Sequence, residues 1–284
     1  MPELPEVETV RRVLSNEIVN TKIIDIDAYY PNIIEDDLDY FKNNVIGKRI
    51  DNLSRLGKYL IINLESGSII SHLRMEGKYF YLPNGSELNK HIHVVFKLDN
   101  GYILCYQDTR KFGRMIYKDN EEVYTTKPLA QIGVEPFVEN NIDIEFLYNK
   151  IVKKNLPIKT VLLDQSIITG LGNIYVDEVL FASKIAPHKD ASKLSIDDLK
   201  RIIEASDRIL KLAIENKGTT IRSYTSSLGV TGNYQNFLCV HTKSFCPICN
   251  EKLEKEKIGG RSSYYCKNCQ EWLDWKWQLE SLVE

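Results

Sequence analysis

Apolar residues recur along the chain at two spacings, and the spacing changes with position. Near the start Val7, Val10, Val13 and Leu14 fall on one helical face. Pro5 suits a first-turn position there, and Glu6 and Glu8 complement the positive end of the helix. From about Ile23 to Tyr117 the pattern shortens to runs rich in β-branched and aromatic residues. These are Leu60-Ile61-Ile62, Ile69-Ile70, Tyr79-Phe80-Tyr81, His93-Val94-Val95-Phe96 and Tyr102-Ile103-Leu104. Ser66-Gly67, Asn84-Gly85 and Asn100-Gly101 punctuate them, and the last two are strong hairpin dipeptides. Close strands with tight turns predict an antiparallel sandwich or barrel over residues 1–125. Residues 126–141, with Pro128, Gly133 and Pro136, read as a linker.

Helical spacing returns from about Ile142. Ile144, Leu147, Tyr148 and Ile151 mark one helix, and another starts near Asn173. The longest runs from about Ser195 to Asn216, with Ser195 and Asp198 as a capping-box-like start and Gly218 as a C′ stop. Residues 218–233 are rich in Thr, Ser and Gly and read as a loop. Strands followed by helices predict an α+β chain, and 284 residues suit two domains, or one domain with a small appendage.

No apolar run approaches membrane-spanning length, and Glu3, Glu6 and Glu8 stand where a secretory signal would carry basic residues. A cytoplasmic protein with no membrane association is expected. The net charge is −2, split into −6 over residues 1–149 and +4 over residues 150–284. So weak a basic half excludes binding of a polyanion through a general field; any such partner must be met by individually placed cations.

Cys246-Pro247-Ile248-Cys249 and Cys266-Lys267-Asn268-Cys269 are two C-x-x-C pairs sixteen residues apart. Thiolates at i and i+3 of a tight turn can face one ion, and two such turns make a tetrahedral zinc site. Four free thiols or two disulfides are the alternatives, and disulfides do not suit a cytoplasmic chain. Four thiolates leave no open position, so one structural Zn is expected. The segment it encloses carries Gly259-Gly260-Arg261, a sharp tip that could present a guanidinium to a phosphate or simply to water. Cys105 and Cys239 lie outside the spacing and read as buried thiols.

Two further segments carry chemistry. Gly170-Leu171-Gly172-Asn173 leads into a helix whose amide groups could meet a phosphate, although a plain helix–helix turn needs the same glycines. At the start, removal of Met1 would make Pro2 a free secondary amine. Such an amine titrates near ~8, against ~10.4 for lysine, and is nucleophilic without burial. Glu3 beside it could supply a proton to a leaving group. A proline that merely starts a loop is the plainer reading.

Taken in order, these residues resemble formamidopyrimidine-DNA glycosylase, a family that repairs oxidised purines. The resemblance runs from Pro2 to about Gln270. It rests on Pro2-Glu3-Leu4-Pro5-Glu6, Gly57-Lys58-Tyr59-Leu60, Ser71-His72-Leu73-Arg74-Met75-Glu76-Gly77, Asp108-Thr109-Arg110-Lys111-Phe112-Gly113, Gly170-Leu171-Gly172-Asn173-Ile174-Tyr175 and the four spaced cysteines.

The resemblance implies an N-terminal β-sandwich with a leading helix (1–125) and a helix–two-turns–helix DNA-binding domain with a lesion loop (142–233). A zinc finger (234–270) and an extension (271–284) follow. It implies Pro2 as the nucleophile at the sugar, Glu3 as the assisting acid and Lys58 as a cation near the lesion phosphate. Met75, Arg110 and Phe112 match residues that fill the void left by a flipped base, and Arg110 faces the abandoned cytosine. Asn173 and Arg261 match phosphate ligands, with His72 and Lys159 as helpers. Arg222, Ser223 and Tyr224 are candidates to read the base. The implied partner is double-stranded DNA carrying 8-oxoguanine or a formamidopyrimidine opposite cytosine, attacked by a monomer through a Schiff base and β,δ-elimination.

Three departures stand out. His241 and Thr242 replace the family's usual Tyr-Gly, Thr109 fills a variable position, and residues 271–284 extend past the usual end with Trp272, Trp275 and Leu279 on one helical face. The rival within the superfamily is endonuclease VIII, which prefers oxidised pyrimidines; Leu4 and the Met75/Arg110/Phe112 set favour the purine branch. A zinc-ribbon protein that binds nucleic acid without catalysis is the rival from another class.

Overall fold

The computed structural model describes residues 1–219 and 232–270. Two compact units emerge, one of residues 1–131 with 213–235, the other of residues 132–212 with those from Asn236 onward. Expectations for residues 220–231 and 271–284, including Arg222, Ser223, Tyr224, Trp272, Trp275 and Leu279, lie outside the described residues.

The first unit opens on α1 (Leu4–Ile18), whose N-terminus is closed by a capping box between Glu3 and Glu6. The Glu3 backbone N–H donates to Glu6 Oε2 at 2.9 Å. Val7, Val10, Leu14 and Ile18 are buried along its inner face, while Val13 sits at the margin, half-buried. Then come β1 (Ile23–Ala28), α2 (Leu38–Val45), β2 (Ile50–Leu56), β3 (Tyr59–Leu64), β4 (Ser68–His72), β5 (Lys78–Pro83), β6 (Ile92–Leu98), β7 (Tyr102–Gln107) and β8 (Arg114–Lys118). They form two antiparallel four-stranded sheets, ordered β1-β6-β7-β5 and β2-β3-β4-β8. Ile26, Phe96 and Leu104 of one sheet share a core with Leu53, Leu60, Ile62, Ile69 and Met115 of the other, and α1 adds Val7, Val10 and Leu14. Of the two expected architectures, this is the sandwich.

Two local readings need correction. Asn100-Gly101 does close a hairpin, between β6 and β7. Asn84-Gly85 does not join neighbours, because β5 pairs with β7 rather than with β6. The Asn84 N–H instead donates to the Gly101 carbonyl, extending that pairing beyond the strand end. The strand region is also interrupted by α2. Its signal was in the sequence: Asp37 caps the backbone N–H groups of Asp39 and Tyr40, and Phe41 and Val45 are buried on one face.

The second unit carries α3 (Ile144–Ile151), α4 (Ile158–Leu162), α5 (Asn173–Ala182) and most of α6 (Ile196–Glu215), then the hairpin β9 (Glu254–Ile258) and β10 (Arg261–Tyr265) and the short α7 (Lys267–Gln270). Ser195 and Asp198 cap α6 reciprocally, at 3.0 and 3.1 Å. Its C-terminus differs by one residue from expectation. Lys217 takes the left-handed C′ position, with φ 61°, and Gly218 follows as C″, with φ 74°. Gly218 N–H reaches the Ala213 carbonyl and Lys217 N–H that of Ile214, as in a Schellman motif.

Candidate active site and nucleic-acid interface

In the first unit the chemistry gathers around the start of α1. Pro2 is buried and Glu3 only 3% exposed, with Met1 40% exposed before them. Glu6 holds this end in place. One of its carboxylate oxygens accepts the Glu3 N–H; the other accepts the Thr219 N–H at 2.7 Å and the Thr219 hydroxyl at 3.1 Å. A β-carbon on Gly218 would stand 2.5 Å from Glu6 Oε1, so glycine is required for so close an approach. The residues flanking the 220–231 segment are tied to each other as well. Tyr234 N–H donates to the Gly218 carbonyl and Asn233 N–H to that of Asn216.

Lys58 occupies the two-residue turn between β2 and β3, after Gly57 with φ 57°. Glycine at the first central position suits a type II′ turn. Lys58 is 4% exposed, so it is not the solvated strand lysine that pattern alone allows.

His72 ends β4 with its ring edge-on to Tyr59 and its Nδ1 accepting the Arg74 N–H at 2.9 Å. Burial, then the positive charges of Arg74 and Lys58, press its pKa down to about 3. The ring is therefore neutral at physiological pH, with its proton on Nε2 as a hydrogen-bond donor.

The next two loops carry the expected void-filling set. Half-buried Met75 lies between β4 and β5. Exposed Arg110 and Phe112 lie between β7 and β8, with the guanidinium 4.8 Å from the ring centroid. Phe112, at 47% exposure, is not the core residue that a strand pattern suggests. What shapes this second loop is Asp108, fully buried, whose carboxylate accepts the N–H groups of Arg110, Phe112 and Gly113 at 3.0, 2.9 and 2.8 Å.

In the second unit Asn173 begins α5 and Arg261 begins β10. Asn173 Nδ2 donates to the carbonyl of Ser262, the residue after Arg261, at 2.9 Å. Arg261 is exposed at the Gly259-Gly260 tip, where both glycines have positive φ. Lys159, expected as a helper of the phosphate ligands, is 0% exposed and 2.8 Å from Asp177. His241 is also buried, with Nδ1 2.8 Å from the other Asp177 oxygen.

The four cysteine sulfurs lie within 4.8 Å of one another. Cys246–Cys269 and Cys249–Cys266 are 3.8 and 3.5 Å apart. A tetrahedron of Zn–S bonds near 2.3 Å has edges of about 3.8 Å, so this set fits one zinc ion. Burial, with the neighbouring sulfurs, pushes the Cys266 thiol up to about 11 and raises that of Cys269; a cation among them is what would ionise all four. Cys105 is buried as expected, whereas Cys239 is half-buried. Its N–H donates to Glu178, which also accepts those of Val240 and His241.

Sequence reasoning missed Glu6 as a tie, Asp108 as a loop former, and Asp177 and Glu178 as buried acids. The last pair was readable, because two acids inside the apolar run Asn173–Ala182 must be satisfied internally.

Residues 1–115 match the formamidopyrimidine-DNA glycosylase N-terminal domain, residues 132–225 the H2TH domain of the same enzymes, and residues 243–271 the zinc finger found in FPG and IleRS. The chain belongs to the formamidopyrimidine-DNA glycosylase family. It is 44% identical over 274 residues to the formamidopyrimidine-DNA glycosylase of Streptococcus mutans, covering 95% of this chain and 99% of the relative. The Bacillus cereus enzyme is 44% identical over 275 residues with the same coverage. Among solved structures, the Lactococcus lactis Fpg bound to DNA containing an abasic site superposes with a TM-score of 0.89 at 40% identity, over 95% of this chain and 99% of that one. A point mutant of that enzyme bound to DNA containing Fapy-dG gives the same values. Like these glycosylases, the chain is α+β, and no helix among its described residues is long and apolar enough to cross a membrane.

Proposed function

We propose that this protein excises oxidised purines, 8-oxoguanine and formamidopyrimidines, from double-stranded DNA and then cuts the strand at the abasic site. The observation that carries this reading is Pro2-Glu3 at the capped start of α1, buried in a chain of this family. A base cannot be reached at its sugar while stacked, so the nucleotide is first extruded. With Met1 removed, the Pro2 nitrogen attacks C1′ and the bond to the base breaks. Glu3 supplies the proton for opening of the sugar ring. The resulting iminium makes the C2′ hydrogen acidic; its loss expels the 3′ phosphate, and a second elimination expels the 5′ phosphate.

Lys58 and the neutral His72 donate to phosphates beside the lesion, and Asn173 and Arg261 to others. Met75 and Phe112 wedge into the vacated stack, and Arg110 offers its planar donors to cytosine, which makes cytosine the preferred opposite base. The protein acts as a monomer. Zinc at Cys246, Cys249, Cys266 and Cys269 supplies no chemistry to the reaction; the thiolates fill its coordination and it holds the finger that carries Arg261.

Borohydride trapping on an 8-oxoguanine:cytosine duplex tests this reading. The expected adduct joins the sugar to the N-terminal amine and is lost in Pro2→Gly and strongly weakened in Glu3→Gln. Full adduct and strand cleavage in both variants would refute the assigned roles.

A further inference from the structure

Asp177 is a buried carboxylate within an apolar helix, and elements distant in sequence meet on it. Oδ1 accepts from Lys159 Nζ at 2.8 Å, with both side chains 0% exposed. Oδ2 lies 2.8 Å from His241 Nδ1 and accepts the Tyr264 N–H at 3.3 Å. Lys159 donates a second bond, at 2.9 Å, to the Ser262 carbonyl. That carbonyl is also the one that accepts Asn173 Nδ2. Glu178, the next residue, meanwhile clamps the backbone of residues 239–241.

The two adjacent acids thus divide the work. Glu178 secures the backbone leading into the finger, and Asp177 secures the side chains that register β10 against α5. Burying a charge pair is a weak source of stability, since apolar groups of the same volume often do as well. What such a pair adds is direction. Lys159, fixed by Asp177, aims its ammonium at the carbonyl of Ser262, one residue from Arg261.

We propose that Asp177 is a positioning residue for DNA binding. Through Lys159 and the Ser262 carbonyl it sets Arg261 against Asn173 so that both engage the DNA backbone. Lys159 acts within this pair and does not itself touch DNA. The proposal rests on the reading of Asn173 and Arg261 as phosphate ligands.

Binding to a duplex carrying a tetrahydrofuran abasic analogue, measured by anisotropy at several salt concentrations, tests it. The variants are Asp177→Asn, Lys159→Met, the two combined, and Arg261→Ala, each with its zinc content determined. Asp177→Asn is expected to weaken binding by roughly tenfold to a hundredfold, as misplacement of binding groups does. The slope of log affinity against log salt should fall by about one, the loss of one phosphate contact. Zinc content, and the rate of Schiff-base trapping at saturating 8-oxoguanine:cytosine duplex, should hold. Lys159→Met should behave alike, and the double variant should bind about as weakly as either single variant, because one chain of contacts carries both effects.

A double variant whose losses add would mean that Lys159 meets DNA independently of Asp177 and would overturn the proposal. So would loss of zinc in Asp177→Asn, which would make it a support of the finger alone. Unchanged binding by Asp177→Asn beside weakened Arg261→Ala would overturn the proposal and leave the phosphate reading standing. Unchanged binding by Arg261→Ala would refute that reading itself.

Discussion

The hydroxyl of Tyr106 lies directly against Gly113: a β-carbon there would stand 1.6 Å from the oxygen. Gly77 meets the same hydroxyl, where a β-carbon would come within 2.3 Å. One buried tyrosine therefore seats both loops that carry the proposed void-filling set, since Gly77 closes the loop of Met75 and Gly113 that of Arg110 and Phe112. Neither glycine is needed for a left-handed backbone; each is needed for closeness.

Gly113→Ala should accordingly destabilise the first unit by about 1–3 kcal/mol, the usual cost of overpacking. It should also lower excision, because Phe112 and Arg110 move with the loop. Adding Tyr106→Phe removes the nearest atom but leaves the ring carbon 2.6 Å from the new methyl, so the rescue should be partial. Urea unfolding and single-turnover excision would measure both. Wild-type stability in Gly113→Ala would show that the ring moves aside at little cost.

Acid should lower stability through His72 and Glu8 over different pH ranges. Folded His72 is protonated only near pH 3, whereas the unfolded side chain takes up its proton near ~6.5. Between those values the unfolded state binds the additional proton, so stability falls as pH drops through that window and His72 contributes nothing to the slope above it. Burial works against the charge of Glu8, but hydrogen bonds from Arg11 and Arg12 and the charges of Arg11 and Arg55 bring its pKa down to about 2. Its contribution is present above ~4.3 and lost as pH falls toward 2. In urea titrations His72→Gln should flatten the dependence between pH 6 and 4.5 by up to ~1.4 kcal/mol per pH unit. Glu8→Gln should flatten it only below about pH 4.3. An unaltered slope in His72→Gln would mean that the folded ring accepts a proton.

Removing the metal should separate binding from folding of the sandwich. Among the described residues the core of the sandwich includes none from the finger, where Val240, Cys246, Leu253 and Cys266 pack with Phe181 of α5 in a small core of their own. Chelation or Cys266→Ser should reduce DNA affinity on the order of tenfold to a hundredfold, as disruption around a metal site does. The thermal transition of the sandwich should stay in place. Full affinity in zinc-free protein would show that the finger positions nothing for DNA.

β-branched and aromatic runs, turn dipeptides and the later helical period carried the antiparallel strands, α3, α5 and α6, because each of these signals is local; the choice of sandwich over barrel was not among them. Two cysteine pairs at metal-binding spacing carried the zinc site for the same reason. Strand order was not legible: Asn84-Gly85 has the chemistry of a hairpin turn, yet β5 finds its partner in β7. Local turn propensity says where a chain bends, not which strand it will meet.

The sequence by itself determined the inventory of chemistry, namely Pro2 beside Glu3, four thiols at metal-binding spacing, and the aromatic and cationic residues of the loops. Only the tertiary structure decided how each group is held. It turned Lys159 inward onto Asp177, aimed Glu6 at both Glu3 and Thr219, and set Tyr106 between two glycines. Burial and hydrogen-bond partners come from residues far apart in the chain, and those partners decide whether a charge meets solvent or is enclosed in the protein.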